Sequence, residues 1–405
     1  MITLTPQERL VSNAMKKVKD NAGSHSPSIF TLVNQFPNVK IKVDACFLSN
    51  PYASKLFFEF FQEDFKNKTN FENLIQYYPS QNAMIAQLVA KHLDISAQTI
   101  FMGNGAVEVI QAVIHNFVKQ KMIVNIPTFS SYYELAEDNV EVIYNQLSKT
   151  NNFNLDIENY LKLVKNEKPD TVVLINPNNP DGSYIKFTEI EYLIKQLKNV
   201  DNIIIDESFI HFAREEDDQI KSTVKLIENL NNLIIIKSMS KDFGIAGIRA
   251  GYGVMNAEKV NHLLKNGYLW NLSGLAEYFF RIYIQDDFQK MYEKARIKYI
   301  YKTKILINKL SQIDVIKAYP SQANFVLIEL LEGSTAFDCF NKLLLKHGVY
   351  TRNCSDKIGL PGEFIRIASR TKKENKKIIK NLISLFLDSK DTTKVSKRYP
   401  IPMCS

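Results

Sequence analysis

The sequence predicts an α/β protein whose large domain is built on a mostly parallel β-sheet covered by helices. From about residue 80, helical segments alternate with short, β-branched, apolar runs such as MIVNI, TVVLIN, NIIID and LIIIKS. Runs that are apolar on both faces are typical of parallel strands buried between helices. Polar residues follow each run, and in such sheets ligands bind beyond the carboxyl ends of the strands. The pattern therefore predicts one site where several strands end.

The order of the segments predicts three regions in the chain of 405 residues. An N-terminal arm over residues 1–50 begins with an amphipathic helix in TPQERLVSNAMKKVKDNAG, and a large domain follows over residues 51–285. After a long charged helix, the runs ANFVLIEL, GVYTR and FIRIAS predict a smaller C-terminal α/β domain over residues 286–405. We expect the arm to complete this small domain.

Composition and charge are those of an ordinary globular protein. Hydrophobic residues make up 45% and charged residues 23%, and the formal net charge is +8. The positive charge favours an anionic substrate, but its spread over both ends of the chain favours a solvated surface over a nucleic-acid site. No run of about 18 apolar residues exists, and the start of the chain lacks a signal-peptide core. We therefore expect a cytoplasmic protein that binds neither nucleic acid nor membrane.

The cysteines show no metal-ligand spacing; they are Cys46, Cys339, Cys354 and Cys404. Disulfide frameworks are typical of small secreted domains and not of a chain this long. We expect free thiols and no metal site.

The stretch IIIKSMSKDFGIAGIRAGYG places Lys241 at the end of an apolar strand. A lysine whose pKa is lowered by its neighbours can form an imine with an aldehyde cofactor, although a single lysine is most often a surface residue. The hydroxyls of Ser238 and Ser240 and the guanidinium of Arg249 suit a phosphate. The segment GNGAVE, which contains Gly105, opens a helix whose first N–H groups can bind the same phosphate.

Three further polar or aromatic residues follow other strands. Asp206 ends NIIID and can stay ionised beside a cationic ring nitrogen, although a helix N-cap is its simpler role. Asn179 can donate to a phenolate oxygen, and Phe129 can stack on an aromatic ring. An imine-forming lysine, a phosphate site, a carboxylate for a pyridinium and a stacking ring together describe pyridoxal phosphate.

The motifs NPNNPDG, DESF, SMSKDFGIAGIRAGY and FIRIA resemble those of the class I/II aminotransferase group, which are pyridoxal-phosphate enzymes of fold type I. The resemblance is to the branch that contains histidinol-phosphate aminotransferases and threonine-phosphate decarboxylases. It implies that Lys241 bonds the cofactor and that Asp206 faces its ring nitrogen. Asn179 would bond the ring oxygen, and Phe129 would stack on the ring. The residues that would bind the phosphate are Gly105, Ala106, Val107, Ser238, Ser240 and Arg249.

The resemblance also implies residues outside the cofactor ring. Arg366 matches the arginine that binds the substrate carboxylate. Tyr78, in QYYPSQ, matches a tyrosine that reaches the partner's cofactor phosphate across a homodimer interface. We also assign Asn50 to the substrate site. His25 can bond a substrate phosphate, although a lone histidine is more often structural.

Two positions depart from the aminotransferase pattern. Asp181 replaces the usual threonine of the NPNNP motif, which we expect to be harmless. Phe209, assigned to the cofactor site, stands where most aminotransferases of the group carry a tyrosine that donates to the ring oxygen. DESFIHF is more similar to the DEAFIDF pattern of the threonine-phosphate decarboxylases. Their RDCSNFPGL and RVAVRT segments are similar to the part of this chain that contains Arg352 and Arg370, which join the candidate substrate residues.

The choice of reaction depends on where the substrate carboxylate is held, because the bond that breaks is the one perpendicular to the cofactor ring. The first hypothesis is decarboxylation of O-phospho-L-serine or O-phospho-L-threonine to a phosphorylated amino alcohol and carbon dioxide. The second is an aminotransferase that acts on a phosphorylated substrate. The third is a basic binding protein without catalysis, and the presence of both Lys241 and Asp206 argues against it.

Overall fold

The structure is a computed structural model that describes residues 3–21, 23–216, 219–331 and 333–386. The helices in these ranges are α1 (Pro6–Asn21), α2 (Ile29–Gln35), α3 (Pro51–Asp64), α4 (Lys68–Gln76), α5 (Asn82–Leu93), α6 (Ala106–Phe117), α7 (Ser131–Glu134), α8 (Ile157–Glu167), α9 (Phe187–Gln196), α10 (Met239–Asp242), α11 (Ala257–Lys265), α12 (Gly274–Tyr283), α13 (Asp286–Leu310), α14 (Ala336–His347) and α15 (Lys372–Phe386). The strands are β1 (Val43–Ala45), β2 (Ile100–Gly103), β3 (Lys121–Ile126), β4 (Glu141–Gln146), β5 (Thr171–Ile175), β6 (Asn202–Asp206), β7 (Leu233–Ser238), β8 (Gly251–Val254), β9 (Ile316–Ala318), β10 (Phe325–Leu330), β11 (Val349–Asn353) and β12 (Phe364–Ala368).

The chain forms two compact units. The large unit comprises Leu48–Tyr301 and Pro320–Asn324. The small unit comprises the described residues of Met1–Phe47, Lys302–Tyr319 and Phe325–Ser405. The domain limits predicted from the sequence, at residues 50 and 285, stay predictions.

The large unit contains a seven-stranded sheet in the order β2-β8-β7-β6-β5-β3-β4. The strands from β7 to β4 are parallel to their neighbours, whereas β8 runs antiparallel to both β2 and β7. Consecutive side chains of β6 enter different cores: Ile203 and Ile205 pack on one face, and Ile204 packs on the other. Because both faces are buried, the strands read as continuous apolar runs. The predicted mostly parallel sheet covered by helices is confirmed.

The small unit contains a five-stranded sheet in the order β1-β11-β12-β10-β9. β1 comes from the N-terminal segment and pairs in parallel with β11, with Val43 opposite Val349. The other pairs are antiparallel. One core packs Val43 and Ala45 together with side chains from α13, α14 and α15. The N-terminal segment therefore supplies part of the sheet and of the core of this unit.

Among the described residues, no helix is long and apolar enough to cross a membrane. The predicted free thiols are confirmed for Cys46, Cys339 and Cys354, all of which are buried. Cys404 and the C-terminal tail lie outside the described residues.

Candidate active site

The carboxyl ends of four neighbouring strands of the large unit lie at one edge of its sheet. The register places Asp206, the last residue of β6, beside Ile175 at the end of β5 and beside Ile236 of β7. The parallel strand β3 ends next to them at Ile126. Because the strands are parallel and in register, the loops that follow them emerge at the same edge. The structure therefore brings the polar strand ends together.

The turn that carries Lys241 is fixed by contacts on both sides. Lys241 is half-buried and lies in α10, the single helical turn that follows β7. Ser238 caps this turn through its hydroxyl, which accepts a hydrogen bond from the Ser240 amide at 3.3 Å. The Lys241 carbonyl accepts a hydrogen bond from the Asn50 amide at 3.0 Å. The lysine is thus held at a defined place at the strand end.

A buried ion pair connects this turn to β7. The Lys237 ammonium contacts the Asp242 carboxylate and donates to the Glu207 carbonyl at 3.0 Å. Burial raises the pKa of Asp242 to about 6, and the adjacent Lys237 opposes that rise. These contacts join β7 to α10 and to the residue that follows β6.

A cradle for an anion lies at the start of α6. Gly105 adopts a φ of +83°, which favours glycine, and a side chain there would lie 2.5 Å from Arg249 Nη2. A side chain at Gly251 would likewise lie 2.7 Å from the Ala106 amide nitrogen. The missing side chains therefore let the Arg249 guanidinium and β8 approach the helix N-terminus. The Gly105 N–H donates to the Gly103 carbonyl at 2.8 Å. The following N–H groups at the start of α6, the helix dipole and the guanidinium suit a phosphate.

The surroundings of Asp206 suit a carboxylate that faces a cation. Its carboxylate is 3% exposed, and it accepts hydrogen bonds of 2.8 Å from the Tyr132 hydroxyl and from the Ser208 amide. Burial raises the pKa of Asp206, and these two donors oppose the rise. A cationic ring nitrogen beside the carboxylate would favour its ionised form in the same way.

Three segments that follow these strand ends contain the predicted ring-binding residues. Asn179 is buried in the loop after β5, and Phe129 is half-buried in the loop after β3. Phe209 is buried after β6. The remaining large-unit candidate is Val107, which is partly exposed in the first turn of α6. These residues lie on loops and turns at the same edge of the sheet as Asp206.

Asn50 belongs to the large unit and is fully buried. Its Oδ1 caps α3 by accepting from the amides of Tyr52 and Ala53 at 3.0 and 3.3 Å. Its Nδ2 is buried and has no hydrogen-bond partner among the residues that the structure describes. Because the Asn50 amide bonds the Lys241 carbonyl, this donor lies close to the lysine turn. A buried donor in need of an acceptor fits the predicted contact with an anionic ligand.

The small unit holds two arginines directly opposite each other. Arg352 of β11 pairs with Arg366 of β12 in the antiparallel register, and both are buried. Arg366 Nη2 donates to the Cys46 carbonyl at 2.9 Å. Arg352 Nη2 donates to the Asp356 carboxylate at 2.6 Å and to the Ser24 carbonyl at 2.7 Å. Burial lowers the pKa of Arg366, and repulsion from Arg352 adds to that effect.

The other predicted substrate residues in this unit are less buried. Arg370 is half-buried, and its amide donates to Asn375 Oδ1 at 2.7 Å. His25 is exposed, next to the Ser24 carbonyl that Arg352 contacts. Tyr78 belongs to the large unit, is 89% exposed and stacks on Trp270 at a centroid distance of 6.1 Å. The structure therefore places each of these residues at a surface or near one.

Sequence reasoning missed several residues of these clusters. Tyr132 contacts Asp206 although 74 positions separate them in the chain, so only its place just after Phe129 hints at the contact. Lys357 lies shortly after Arg352, in the loop that follows β11. Burial together with the positive charges of Arg352 and Arg366 lowers the pKa of Lys357 to about 8. A basic residue so close to Arg352 in the sequence was the available signal.

The large unit is thus an α/β fold. At one edge of its mostly parallel sheet lie the turn that carries Lys241, the buried Asp206 carboxylate and the cradle that suits a phosphate. The sequence pattern of the family "Aminotransferase class I and II" matches residues 59–382. The chain belongs to this family, as the motifs predicted. Its cofactor is pyridoxal 5'-phosphate, and the cradle that a side chain at Gly105 would fill, together with buried Asp206, fits the phosphate and the ring nitrogen of that group.

Relatives of known name cover almost the whole chain. The L-serine phosphate decarboxylase of Campylobacter jejuni is 54% identical over 95% of this chain and 99% of its own length. The solved structure of a decarboxylase from Sulfurospirillum multivorans is similar with a TM-score of 0.90 at 43% identity, covering 95% of this chain and 98% of that one. The histidinol-phosphate aminotransferase of Clostridium acetobutylicum is more distant, with a TM-score of 0.73 at 29% identity over 85% of this chain and 98% of that one.

Proposed function

We propose that this chain is a pyridoxal-phosphate-dependent decarboxylase that converts O-phospho-L-serine to O-phosphoethanolamine and carbon dioxide. The observation that carries the proposal is the buried pair of Arg352 and Arg366 in the small unit, which suits a substrate with two anionic groups. The 54% identity to an L-serine phosphate decarboxylase over nearly the full length supports the choice of substrate.

The arginine pair concentrates positive charge that favours the binding of an anion. Like charges directly opposite each other on neighbouring strands repel, and burial strengthens the repulsion because it removes the screening by water. Asp356 compensates part of the charge through its contact with Arg352. O-Phospho-L-serine carries a carboxylate and a phosphate, and two guanidinium groups match these by paired hydrogen bonds. We assign Arg366 to the carboxylate and Arg352 to the same substrate.

The residues of the large unit would hold the cofactor. The Lys241 amine would bond its aldehyde carbon, and Asp206 would face its ring nitrogen. Asn179 would donate to the ring oxygen, while Phe129 and Phe209 would contact the ring. The groups that would bind its phosphate are the N–H groups of Ala106 and Val107, the hydroxyls of Ser238 and Ser240, and the Arg249 guanidinium. Gly105 would contribute the space for the phosphate, because its own N–H donates to the Gly103 carbonyl at 2.8 Å.

Decarboxylation requires a place for the electron pair that remains on Cα and a proton to replace the lost group. When bound, pyridoxal phosphate accepts that electron pair. The Asp206 carboxylate would hold a proton on the ring nitrogen, which would make the ring a better acceptor. The Tyr132 hydroxyl orients that carboxylate by donating to it. The Lys241 amine carries the proton that Cα receives. Phe209 supplies no hydroxyl to the ring oxygen, in contrast to the tyrosine of most aminotransferases of the group.

The proposal includes a cytoplasmic homodimer in which Tyr78 reaches the cofactor phosphate of the partner subunit. The tyrosine is 89% exposed, so its hydroxyl is available to another chain. Three buried cysteines that remain free thiols are consistent with a reducing compartment.

The aminotransferase alternative has weaker support. Relatives of that name, such as the histidinol-phosphate aminotransferase of Methanococcus aeolicus, are 29% identical to this chain over 76% of its length. No contact in the described residues favours transamination over decarboxylation.

The test uses the purified protein with bound cofactor. The protein is incubated with O-phospho-L-serine or O-phospho-L-threonine, with and without 2-oxoglutarate, and both carbon dioxide and keto acids are measured. We expect carbon dioxide from phosphoserine at a rate that 2-oxoglutarate does not change. Keto-acid formation that depends on 2-oxoglutarate, without carbon dioxide, would contradict the proposal and favour the aminotransferase. The Lys241→Ala variant serves as the inactive control.

A further inference from the structure

Two loops of the large unit are joined by one side chain. Asn178 Nδ2 donates to the Pro127 carbonyl at 2.9 Å, and Asn178 Oδ1 accepts from the Thr128 hydroxyl at 2.8 Å. Thr128 directly precedes Phe129 in the loop after β3, and Asn178 directly precedes Asn179 in the loop after β5. The contacts of Asn178 therefore connect the two loops that carry these ring-binding residues.

A buried carboxylate holds Asn178 from the other side. Asp181 Oδ2 accepts from Asn178 Nδ2 at 2.5 Å, and its Oδ1 accepts from the Ser183 amide at 2.8 Å. Asp181 is 0% exposed and Asn178 is 5% exposed. Two backbone hydrogen bonds of 2.9 Å, from Gly182 to the Asn178 carbonyl and from Asn178 to the Ser183 carbonyl, close the turn around them. Both acceptor atoms of the carboxylate are thereby used.

We propose that Asn178 and Asp181 form a clasp that fixes the two ring-binding loops, which makes both of them positioning residues for the decarboxylation. This inference rests on the proposed function only for the roles of Asn179 and Phe129. A threonine, the usual residue at position 181, has a single side-chain oxygen, whereas Asp181 offers a separate oxygen to each of the two donors. The expectation from the sequence that Asp181 is a harmless replacement does not take these contacts into account.

The physical reason is that the clasp lies where water cannot replace a lost partner. A buried donor or acceptor without a partner costs about 1–3 kcal/mol, so the chain moves to satisfy it. If Asp181 no longer accepts from Asn178, the Asn178 amide is free to rotate away from Pro127 and Thr128. The loop after β3 then loses its contact with the loop after β5, and Phe129 loses its fixed position.

The chain offers two variants that break the clasp at opposite ends and one matched control. Asp181→Asn keeps the shape and the acceptor for Ser183, but its amide donors face those of Asn178. Thr128→Val removes the hydroxyl that donates to Asn178 and leaves Asp181 intact. The control is Asp170→Asn, because Asp170 also accepts from backbone amides, those of Gln120 and Lys121 at 2.7 Å, but lies before β5 at the other edge of the sheet.

The first measurement is hydrogen exchange of the cofactor-free protein. We expect Asp181→Asn and Thr128→Val each to speed exchange in both segments, residues 127–130 and 178–183. Asp170→Asn should speed exchange near residues 119–121 and leave those two segments unchanged. A change that stays within the mutated loop in both variants would overturn the clasp, because it would mean that the loops are fixed independently.

The second measurement is the affinity for pyridoxal phosphate, followed by visible absorbance and by quenching of protein fluorescence. The two clasp variants should weaken binding by roughly tenfold, the effect of one lost buried hydrogen bond, and should shift the absorbance of the bound cofactor. The control should bind like the parent protein. Unchanged affinity and absorbance in both clasp variants would contradict the inference. Neither measurement uses a substrate. If the protein did not decarboxylate phosphoserine, both measurements would still test whether the clasp fixes the two loops.

Discussion

Asp206 shows at the scale of a single residue how the fold prepares a charge for its ligand. The carboxylate is buried at the end of β6, where two hydrogen bonds compensate only part of the cost of removing it from water. Tyr132, which donates one of them, is 0% exposed. Its pKa is raised well above the usual range by burial and by the charge of Asp206, so it remains a hydroxyl and a donor.

We predict that Tyr132→Phe lowers kcat by roughly 10-fold to 100-fold, as the loss of a hydrogen bond to a charged group implies. The Asp206 carboxylate would lose a donor and bind the proton of the cofactor ring in a less defined orientation. Steady-state kinetics with O-phospho-L-serine measures the effect. Tyr133→Phe, on the same helical turn, is the control and should keep its activity. An unchanged kcat in Tyr132→Phe would show that Ser208 alone orients the carboxylate.

Replacing Lys241 by alanine should abolish turnover and the visible absorbance of the lysine-bound cofactor together. The lysine is the residue that we expect to bond the cofactor aldehyde, and no other side chain can form that bond from the same turn. Absorption spectroscopy with added pyridoxal phosphate, before and after borohydride reduction, checks this outcome. Lys225→Ala, at an exposed ion pair with Asp94, should behave like the parent protein. Borohydride-stable labelling of the Lys241→Ala variant would assign the bond to another lysine.

The positions of Lys241 and Asp206 were predictable because Asp206 ends an apolar strand and Lys241 lies in the helical turn that follows one. A local pattern is enough to find a strand end. Tyr132 and Asn178 were not, because their roles depend on contacts between different loops. Tyr132 meets Asp206 across 74 positions, and Asn178 meets Thr128 across 50. No spacing within the sequence encodes such contacts, although each side chain directly neighbours or closely follows a residue that the sequence did identify.

At the scale of elements, the loop after β5 should make stability depend on pH. Burial raises the pKa of Asp181 to about 6, from an ordinary value of 3.8. A raised pKa means that the folded protein binds this proton more tightly than the unfolded chain does. Proton binding at Asp181 therefore stabilises the folded protein fully below about pH 4. This contribution to the free energy of unfolding, at most ~3 kcal/mol, is lost as the pH rises to about 6.

Chemical unfolding of the cofactor-free protein at pH 4.5 and pH 7 tests this dependence. The Asp181→Asn variant cannot titrate at this position and does not lose this contribution as the pH rises. Its free energy of unfolding should therefore increase relative to that of the parent protein between pH 4.5 and pH 7. Asp170→Asn should not show this gain, since the pKa of Asp170 is lowered by its hydrogen bonds to backbone amides and to Thr171 despite partial burial. A constant difference between Asp181→Asn and the parent at both pH values would mean that Asp181 stays ionised throughout.

The pair of strands β11 and β12 leads to a prediction about substrate binding. Arg352→Met should raise KM for O-phospho-L-serine by about 10-fold to 100-fold, because a charged hydrogen bond contributes ~1.5–3 kcal/mol. Any remaining turnover should produce more keto acid, since a less firmly held carboxylate can fall back into the plane of the cofactor ring. Product analysis and steady-state kinetics measure both effects. Lys342→Met, which removes an ion pair with Asp338 within α14, is the control in the same unit. An equal KM in both variants would exclude Arg352 from the site.

The types of these elements followed from the sequence, whereas their neighbours did not. Continuous apolar runs indicate buried parallel strands, and the alternation with helices indicates their cover. The antiparallel direction of β8 and the pairing of Arg352 with Arg366 depend on which strands meet. Strand identity is a local property, but strand order results from the packing of the complete chain.

At the scale of the whole molecule, the proposed homodimer has a direct test by mixing two impaired variants. If Tyr78 serves the cofactor of the partner, a hybrid of Lys241→Ala and Tyr78→Ala subunits contains one site with both residues intact. Co-expression of the two variants should then give more activity than the sum of the separate proteins. The control is a mixture of Lys241→Ala with Asp206→Asn, in which no site recovers if Lys241 and Asp206 act within one subunit. Equal activities in the two mixtures, or a fully active monomer on dilution, would contradict the shared site.

The pairing of β1 with β11 sets the order in which the protein can be completed on the ribosome. β1 is an edge strand whose neighbour, opposite Val43, begins at Val349. At 5–20 residues per second, roughly 15–60 s pass between the synthesis of these two strands. Throughout that interval the nascent N-terminal segment lacks its partner strand β11, whereas the strands that surround Lys241 are complete once residue 254 has been made. The proposed cofactor site can therefore form during translation, and the arginine pair is assembled only after nearly the entire chain has been made.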